Sequence, residues 1–483
     1  MVPILGIALA IPKTGRREAL HRQLAAAIRD GRLAAGLRLP ATRVLAEALC
    51  LSRNTVLAAY DMLLAEGYVE AKAGSGIYVA PLRPLRAPRR PAAAEDKVDG
   101  RLAAYWRRPG TMPTAGPERP VRFDLRLGTP DIRMMPLAIW QRLHARALRA
   151  VARRGEGYGE PAGRLDLRAA IAAHVSFTRA VAAQAGDVVV TAGAQQAFDL
   201  IARILVTPGR TVVAVENPGY PPLRLAFAAA GARIVPVPVD DDGLVVEALP
   251  AEANIVCVSP SHQFPLGVAM SLPRRLALLG FAKASGAVVV EDDYDSEFRY
   301  GGRPLDALQT LDRDGLVFYV GTFSKTLFPG LRLGFAVVPD WARAALLAAR
   351  QAVDWHVPLT DQGALAAFIA EGHLARHVRR MRRLYGERRA ALLTALNGDL
   401  AAWLTPVASE AGLHLSARFK SGLSGAAVAN AAAEAGVAVE WLERYAVGAP
   451  ASAGLAFGFG TIGADEIPGA LARLEPVLRR AAG

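Results

Sequence analysis

Val320-Gly321-Thr322-Phe323-Ser324-Lys325-Thr326-Leu327-Phe328-Pro329-Gly330-Leu331-Arg332-Leu333-Gly334 is the stretch on which the reading of this chain turns. An amine attacks an aldehyde readily only when its pKa is depressed or a nearby cation disfavours its ammonium form. Arg332, brought back by the Pro329-Gly330 turn, can be that cation for Lys325. The hydroxyls of Thr322 and Ser324, with the Arg332 guanidinium, can hold a dianionic phosphate by charge-assisted hydrogen bonds. One segment can therefore grip an aldehyde-bearing phosphate at both ends. The plain alternative is a solvated loop lysine. A nucleotide phosphate loop does not fit, because it needs Gly directly before Lys-Thr and Ser324 stands there.

Other segments supply matching parts. Val288-Val289-Val290-Glu291-Asp292-Asp293-Tyr294-Asp295-Ser296-Glu297-Phe298 is a short apolar run ending in acids, which reads as a buried strand with functional groups at its carboxyl end. Val188 to Leu200 reads as strand, glycine turn and helix; a helix start is an anion site, which makes Gly193, Ala194 and Gln195 a second phosphate contact. Glu216-Asn217-Pro218-Gly219-Tyr220-Pro221 is a turn presenting a ring, and Ser259 to Gly267 follows the apolar run Ile255 to Val258. Gly155 to Gly159 is not a dinucleotide fingerprint, since its third glycine comes one residue early and no strand precedes it.

In this order the segments resemble fold-type I aminotransferases, including a Tyr158-Gly159-Glu160-Pro161-Ala162-Gly163 run with Glu160 where Asp is usual. The resemblance implies pyridoxal 5'-phosphate on Lys325, held also by Arg332, Thr322 and Ser324. Asp292 would keep the pyridine nitrogen protonated and so keep the ring an electron sink. Tyr294 would bond the ring's phenolic oxygen, and Tyr220 would stack on the ring. His262 or Gln263 stands where many such enzymes place an Asn-Pro pair against the ring oxygen.

The residues before position 80 read differently. Apolar positions at Leu20, Leu24, Ala27 and Ile28 predict a helix over 16–30, ended by Gly31. A short helix is expected over 41–49, and Ser52 caps a third with Val56, Tyr60, Leu63 and Leu64 on one face. Tyr68 to Ala71 and Ile77 to Val79 flank a glycine-rich turn as a small ribbon. Three helices and a wing describe a winged helix-turn-helix, which presents the start of its third helix to the major groove. The segment resembles the DNA-binding domain of the GntR family. On that resemblance Arg43, Arg53, Asn54, Thr55 and Gly74 touch DNA, with Ser52 and Lys72 beside them, while Leu57 stands where some relatives carry a basic residue. A three-helix protein-interaction module is the other reading.

Charge is distributed to suit DNA. Of the net +13, residues 1–120 carry 19 Lys and Arg against 10 Asp and Glu, net +9. Such an excess attracts phosphate backbones without specifying a sequence. At 483 residues the chain exceeds one core. The expected division is a winged helix over 14–81, a proline- and arginine-rich linker over 82–120, and an α/β domain over 121–483 with a mostly parallel sheet, helices on both faces and a small C-terminal subdomain. Short strands are expected near Gly412 to Ala417 and Leu455 to Phe459, and the arginine-rich stretch from Arg376 to Arg389 reads as a charged helix face. Cys50, in a helix, and Cys257, in a strand, are expected to be buried and unpaired in a reducing cytoplasm. Ile4 to Ile11 is too short to span a membrane and lacks a basic leader, and no metal site is expected: His373 and His377 are spaced for zinc, but Leu374 supplies no general base.

A winged helix joined to a fold-type I domain resembles the MocR/GabR subfamily of GntR regulators. That resemblance implies a cytoplasmic, head-to-tail homodimer that binds promoter DNA and senses an amino compound or pyridoxal phosphate itself, with weak transamination or none. Arg444 resembles the subfamily's effector-binding arginine, whereas Pro221 and Pro222 stand where some relatives carry a second one and Arg224 is shifted. Two other readings stand beside it: a working aminotransferase with a vestigial DNA-binding domain, and a DNA-binding module on a cofactor-free dimerisation domain.

Overall fold

A computed structural model of the chain describes residues 6–7, 9–12, 14–81, 100–107, 121–155, 157–301, 306–448 and 453–482. It divides into two compact units, Met1–Val98 and Asp99–Gly483. Most of the expected linker, Arg86 included, lies outside the described residues; Ala104–Arg107 forms a 3₁₀ turn of the second unit.

The first unit has helices α1 (Arg16–Arg29), α2 (Thr42–Ala48) and α3 (Arg53–Ala65) and an antiparallel ribbon of β1 (Val69–Lys72) and β2 (Gly76–Val79). Leu20, Leu24, Leu45, Val56 and Leu63 are fully buried, each contributing about 1.5–3 kcal/mol of transfer free energy. Ser52 caps α3: its Oγ accepts the Thr55 N–H at 3.1 Å and lies 2.8 Å from the Thr55 hydroxyl. Ser52→Ala should cost about 0.5–2 kcal/mol of helix stability. Faster amide hydrogen exchange over residues 53–56 of the whole protein is the expected sign, and unchanged exchange would show the cap to be dispensable.

In the second unit the strands are β3 (Phe123–Asp124), β4 (Val188–Thr191), β5 (Val212–Asn217), β6 (Arg233–Asp240), β7 (Gly243–Leu244), β8 (Ile255–Val258), β9 (Val288–Asp293), β10 (Val317–Thr322), β11 (Gly334–Val337), β12 (Leu404–Pro406), β13 (His414–Phe419), β14 (Val437–Ala438), β15 (Glu440–Trp441) and β16 (Gly454–Gly458). The large sheet runs β4-β11-β10-β9-β8-β5-β6-β7. Neighbours from β10 to β6 are parallel, β11 is antiparallel to both its neighbours, and β7 turns back on β6. The near-continuous valine runs of β4, β5 and β9 follow from burial on both faces, as a helix-covered parallel sheet requires. Because β4 and β10 both oppose β11, the carboxyl ends of β4, β5, β8, β9 and β10 share one edge, where open α/β sheets place their ligands.

Three expectations need correction. The smaller C-terminal sheet, β12-β13-β16-β15, has four strands where the apolar pattern marked two, because β12 and β15 are too short to show a period. Cys50 is exposed in the turn after α2, at φ 52°, and only Cys257 is buried. The arginine-rich helix His373–Asn397 is more than a charged face: Arg388 is buried, pairs with Asp131 at 2.7 Å and donates to the Gly460 carbonyl at 2.6 Å. No described helix is long and apolar enough to cross a membrane.

Candidate functional site

A cavity of about 490 Å³ opens at the shared strand edge. Lys325, three residues beyond β10, lies in its wall and donates from Nζ to the Gly128 carbonyl at 2.6 Å. Burial pulls its pKa below the ordinary lysine value, against Asp295 and Asp292, which favour the ammonium form. The neutral, nucleophilic amine is thereby favoured.

Beside it is an anion cradle. Arg332 adopts the left-handed conformation at φ 50°, which costs a non-glycine residue about 1 kcal/mol or more. The turn aims its guanidinium at the end of β4, where Nη2 donates to the Ala192 carbonyl at 2.7 Å. Gly193, at φ 80°, caps the helix Ala194–Leu205, and a Cβ there would meet Arg332 Nη2 at 2.8 Å. The first amides of that helix, at Ala194 and Gln195, have no acceptor within the helix. Thr322 and Ser324 are buried with their hydroxyls 3.0 Å apart, and both line the cavity.

Asp292 sits across the cavity, buried, with Oδ1 lacking any hydrogen-bond partner. Burial, then the neighbouring Asp293, Glu216 and Asp295, push its pKa well above the carboxylate range, and Lys325 works the other way. An orphaned buried carboxylate is costly unless a donor completes it. A protonated ring nitrogen is such a donor, so the acid, the cradle and the amine fit pyridoxal phosphate.

Tyr220 also lines the cavity, its phenol pushed up to about 12 by burial, and its ring meets Phe264 edge-on at 5.3 Å. Tyr294 lines it too, although its hydroxyl donates to the His262 carbonyl at 2.9 Å. His262 and Gln263 are buried and are not among the residues that line the cavity. His262 Nδ1 lies 3.0 Å from Asp295 Oδ1, and the Gln263 amide donates to the Pro218 and Phe264 carbonyls at 2.8 and 2.7 Å. Phe264 takes the wall position beside them. Arg444 reaches the cavity from the 3₁₀ turn Leu442–Tyr445, with its guanidinium 5.3 Å from the Trp441 ring. Gly128, His414 and Glu440 are wall residues that no local motif marks, brought there by long-range packing, whereas Asp295 follows directly on the acids that end β9. Among the described residues, His262, Asp295 and His414 form the one cluster with metal-ligand potential, but His414 Nε2 is engaged 3.0 Å from the Pro265 carbonyl.

On the first unit, Arg43, Arg53, Asn54 and Lys72 are exposed, and Arg43 and Arg53 make no ion pair among the described residues. The Lys72 ammonium lies 4.8 Å from the Tyr78 ring centre. Gly74 is exposed at φ 70°, at the tip of the ribbon, with open space around it. Ser52 is exposed and Thr55 half-buried, and the cap engages both. Sequence reading passed over Arg38, whose backbone bridges Tyr78 and whose guanidinium a Cβ on Gly76 would meet at 2.9 Å.

An exposed recognition helix and an aminotransferase-like cofactor cavity on one chain define a transcriptional regulator built partly on an enzyme fold. Residues 16–79 match the gntR family of bacterial regulatory proteins and residues 127–446 match aminotransferase class I and II. The chain is 40% identical to a probable rhizopine catabolism regulatory protein MocR of Rhizobium meliloti, over 92% of this chain and 90% of that one. It is 34% identical to the pyridoxine biosynthesis regulator PdxR of Corynebacterium glutamicum, over 94% of each. An α-aminoadipate aminotransferase from Thermus thermophilus superposes with a TM-score of 0.69 at 28% identity, over 75% of this chain and 93% of the enzyme. The chain belongs to the MocR/GabR subfamily of GntR-family transcriptional regulators: a DNA-binding regulator whose aminotransferase-like domain takes pyridoxal phosphate.

Proposed function

We propose that this regulator works as a head-to-tail homodimer in the cytoplasm and that a small amine, entering the cofactor cavity, changes its hold on promoter DNA. Residues 14–81 bind the DNA, 82–120 link, and 121–483 sense and dimerise. The single observation that supports this most is the convergence of Lys325, orphaned Asp292 and the Arg332–Gly193 cradle on one cavity, in a chain that also carries an exposed recognition helix. Bound pyridoxal phosphate supplies a carbonyl that bonds amines and a ring that withdraws electrons. Around it, Arg332, Thr322, Ser324 and the amides of Ala194 and Gln195 hold the phosphate. Asp292 keeps a proton at the ring nitrogen, Tyr220 covers the ring, Tyr294 closes its edge, and Lys325 bonds the aldehyde. Arg444 faces the space left for the effector. Arg43, Arg53 and Asn54 approach the groove, and Lys72, Gly74 and the capped turn of Ser52 and Thr55 approach the backbone.

Linkage gives the test. An effector that changes promoter affinity by some factor must have its own affinity changed by the promoter to the same factor. Visible-absorption titrations of the holoprotein with candidate amines, with and without promoter fragment, should return equal factors. Ordinary aminotransferase turnover with no selectively bound fragment would instead favour the enzyme reading.

A further inference from the structure

The arginine-rich helix His373–Asn397 borders a second, open concavity of about 430 Å³, which shares no lining residue with the cofactor cavity. Arg379, Arg382, Arg383 and Arg389 line it from the helix, and Arg299 and Tyr300 from the segment after β9, where the Arg299 backbone bridges Ala411. The arginine face runs for about 15 Å along the helix. Among the described residues no acid lines the concavity. Three of the arginines are held in place: Arg299 pairs with Glu410 at 3.2 Å, Arg382 donates to the Glu297 carbonyl at 2.8 Å, and Arg389 donates to the Ser409 carbonyl. The Arg389 guanidinium also lies 5.4 Å from the centre of the Tyr300 ring, whose hydroxyl donates to the Gly412 carbonyl at 2.7 Å. Arg379 and Arg383 are exposed, with no hydrogen bond or ion pair among the described residues. One turn beyond Arg382 and Arg383, Gly386 lines the same space. A glycine inside a helix is destabilising relative to alanine. Packing does not require one here, since a Cβ would come no closer to its surroundings than 3.6 Å, at the Tyr300 ring. Its effect is to keep the space between the arginines open.

We infer that this concavity binds a compact polyanion of the oligophosphate class, free or as the tail of a nucleotide. Guanidinium forks match phosphate oxygens two at a time, and an arginine cannot relieve repulsion from its neighbours by giving up its proton. Five of them around one hollow therefore repel one another until an anion enters, and linked phosphates meet several forks at once. The size fits as well, for about 430 Å³ lies in the range of small-ligand sites. A merely solvated basic face needs neither a second segment opposite the helix nor a glycine between the arginines. Duplex DNA is the other polyanion to weigh, but its phosphates lie on a convex surface, which would leave the space over Gly386 unfilled.

Isothermal titration calorimetry of the full-length holoprotein, its cofactor site filled, tests this with orthophosphate, tripolyphosphate and ATP in magnesium-free buffer. The wild type should take one tripolyphosphate per chain, about tenfold or more tightly than orthophosphate. Arg379→Ala combined with Arg383→Ala should weaken tripolyphosphate by about tenfold or more. Gly386→Leu should do the same with all five arginines still present, because it fills the hollow. Arg53→Ala combined with Lys72→Ala should leave the binding unchanged, since those cations belong to the first unit. An unaltered visible absorbance of bound cofactor shows that each variant is folded. ATP bound as tightly as tripolyphosphate makes the phosphate chain the whole ligand, and ATP bound more tightly makes it a nucleotide; both bear the inference out. Equal binding of orthophosphate and tripolyphosphate, or no binding of either, overturns it. So does binding that survives Gly386→Leu or the Arg379 and Arg383 pair, or that is lost only with Arg53 and Lys72. Displacement of tripolyphosphate by a random duplex from the Arg53→Ala, Lys72→Ala protein would mean that the arginine face takes a nucleic-acid backbone instead.

Discussion

Lys325→Ala is expected to abolish covalent cofactor attachment completely while leaving a folded, DNA-binding protein. After borohydride treatment and denaturation the wild type should carry the phosphopyridoxyl group on Lys325, and the variant should carry none. The chain has only six lysines, and among the described residues no other lines the cavity. Lys283 pairs with Asp314 at 2.9 Å, and Lys72 lies on the wing beside Tyr78. Among the described residues no second amine stands ready to substitute, and burial depresses the pKa of Lys325. The hydrogen bond that the side chain makes is to a cavity-lining residue: Nζ donates to the Gly128 carbonyl at 2.6 Å. The variant should still bind pyridoxal phosphate reversibly through Arg332 and Asp292, and lose it on dialysis. A covalent label at another residue would sink the assignment.

How much was legible depends on whether a residue's role is set by its neighbours in sequence or by packing. The α3 cap, the glycine-rich ribbon turn and the valine strands ending in acids are local patterns, and each element forms within a few residues of its expected bounds. Lys325 and Arg332 belong to one turn, so their proximity could be read directly. The far wall could not. Gly128, His414 and Glu440 come from three distant segments, and their convergence depends on how the small sheet packs. A loop's sequence likewise does not say which of its side chains faces inward: Phe264 lines the cavity, while His262 and Gln263 are buried beside it. Cys50 deceived because a helix pattern does not mark its own last turn, and α2 stops two residues earlier, at Ala48.

Arg53→Ala should weaken binding to the specific promoter site by about 1–3 kcal/mol, the range of a bidentate side chain reading a guanine edge. The position suits that contact. Arg53 is the first residue of α3, held in place by the Ser52 cap, exposed, and without an ion pair among the described residues. One turn along, Leu57 is 44% exposed and can make only apolar contact, so fewer polar groups share the reading of the groove and more rests on Arg53. Lys72→Ala is the informative comparison, because an ammonium on the wing meets the backbone as a point charge. It should lower affinity for specific and random duplexes alike and reduce the slope of log affinity against log salt by roughly 1. Arg53→Ala should instead reduce the ratio of specific to random binding by about fivefold to over a hundredfold, with most of the loss at one base pair of the site. Equal losses on specific and random duplexes from both variants would mean that Arg53 touches phosphate alone, and that another residue of α3, with Asn54 the nearest exposed candidate, carries the sequence reading.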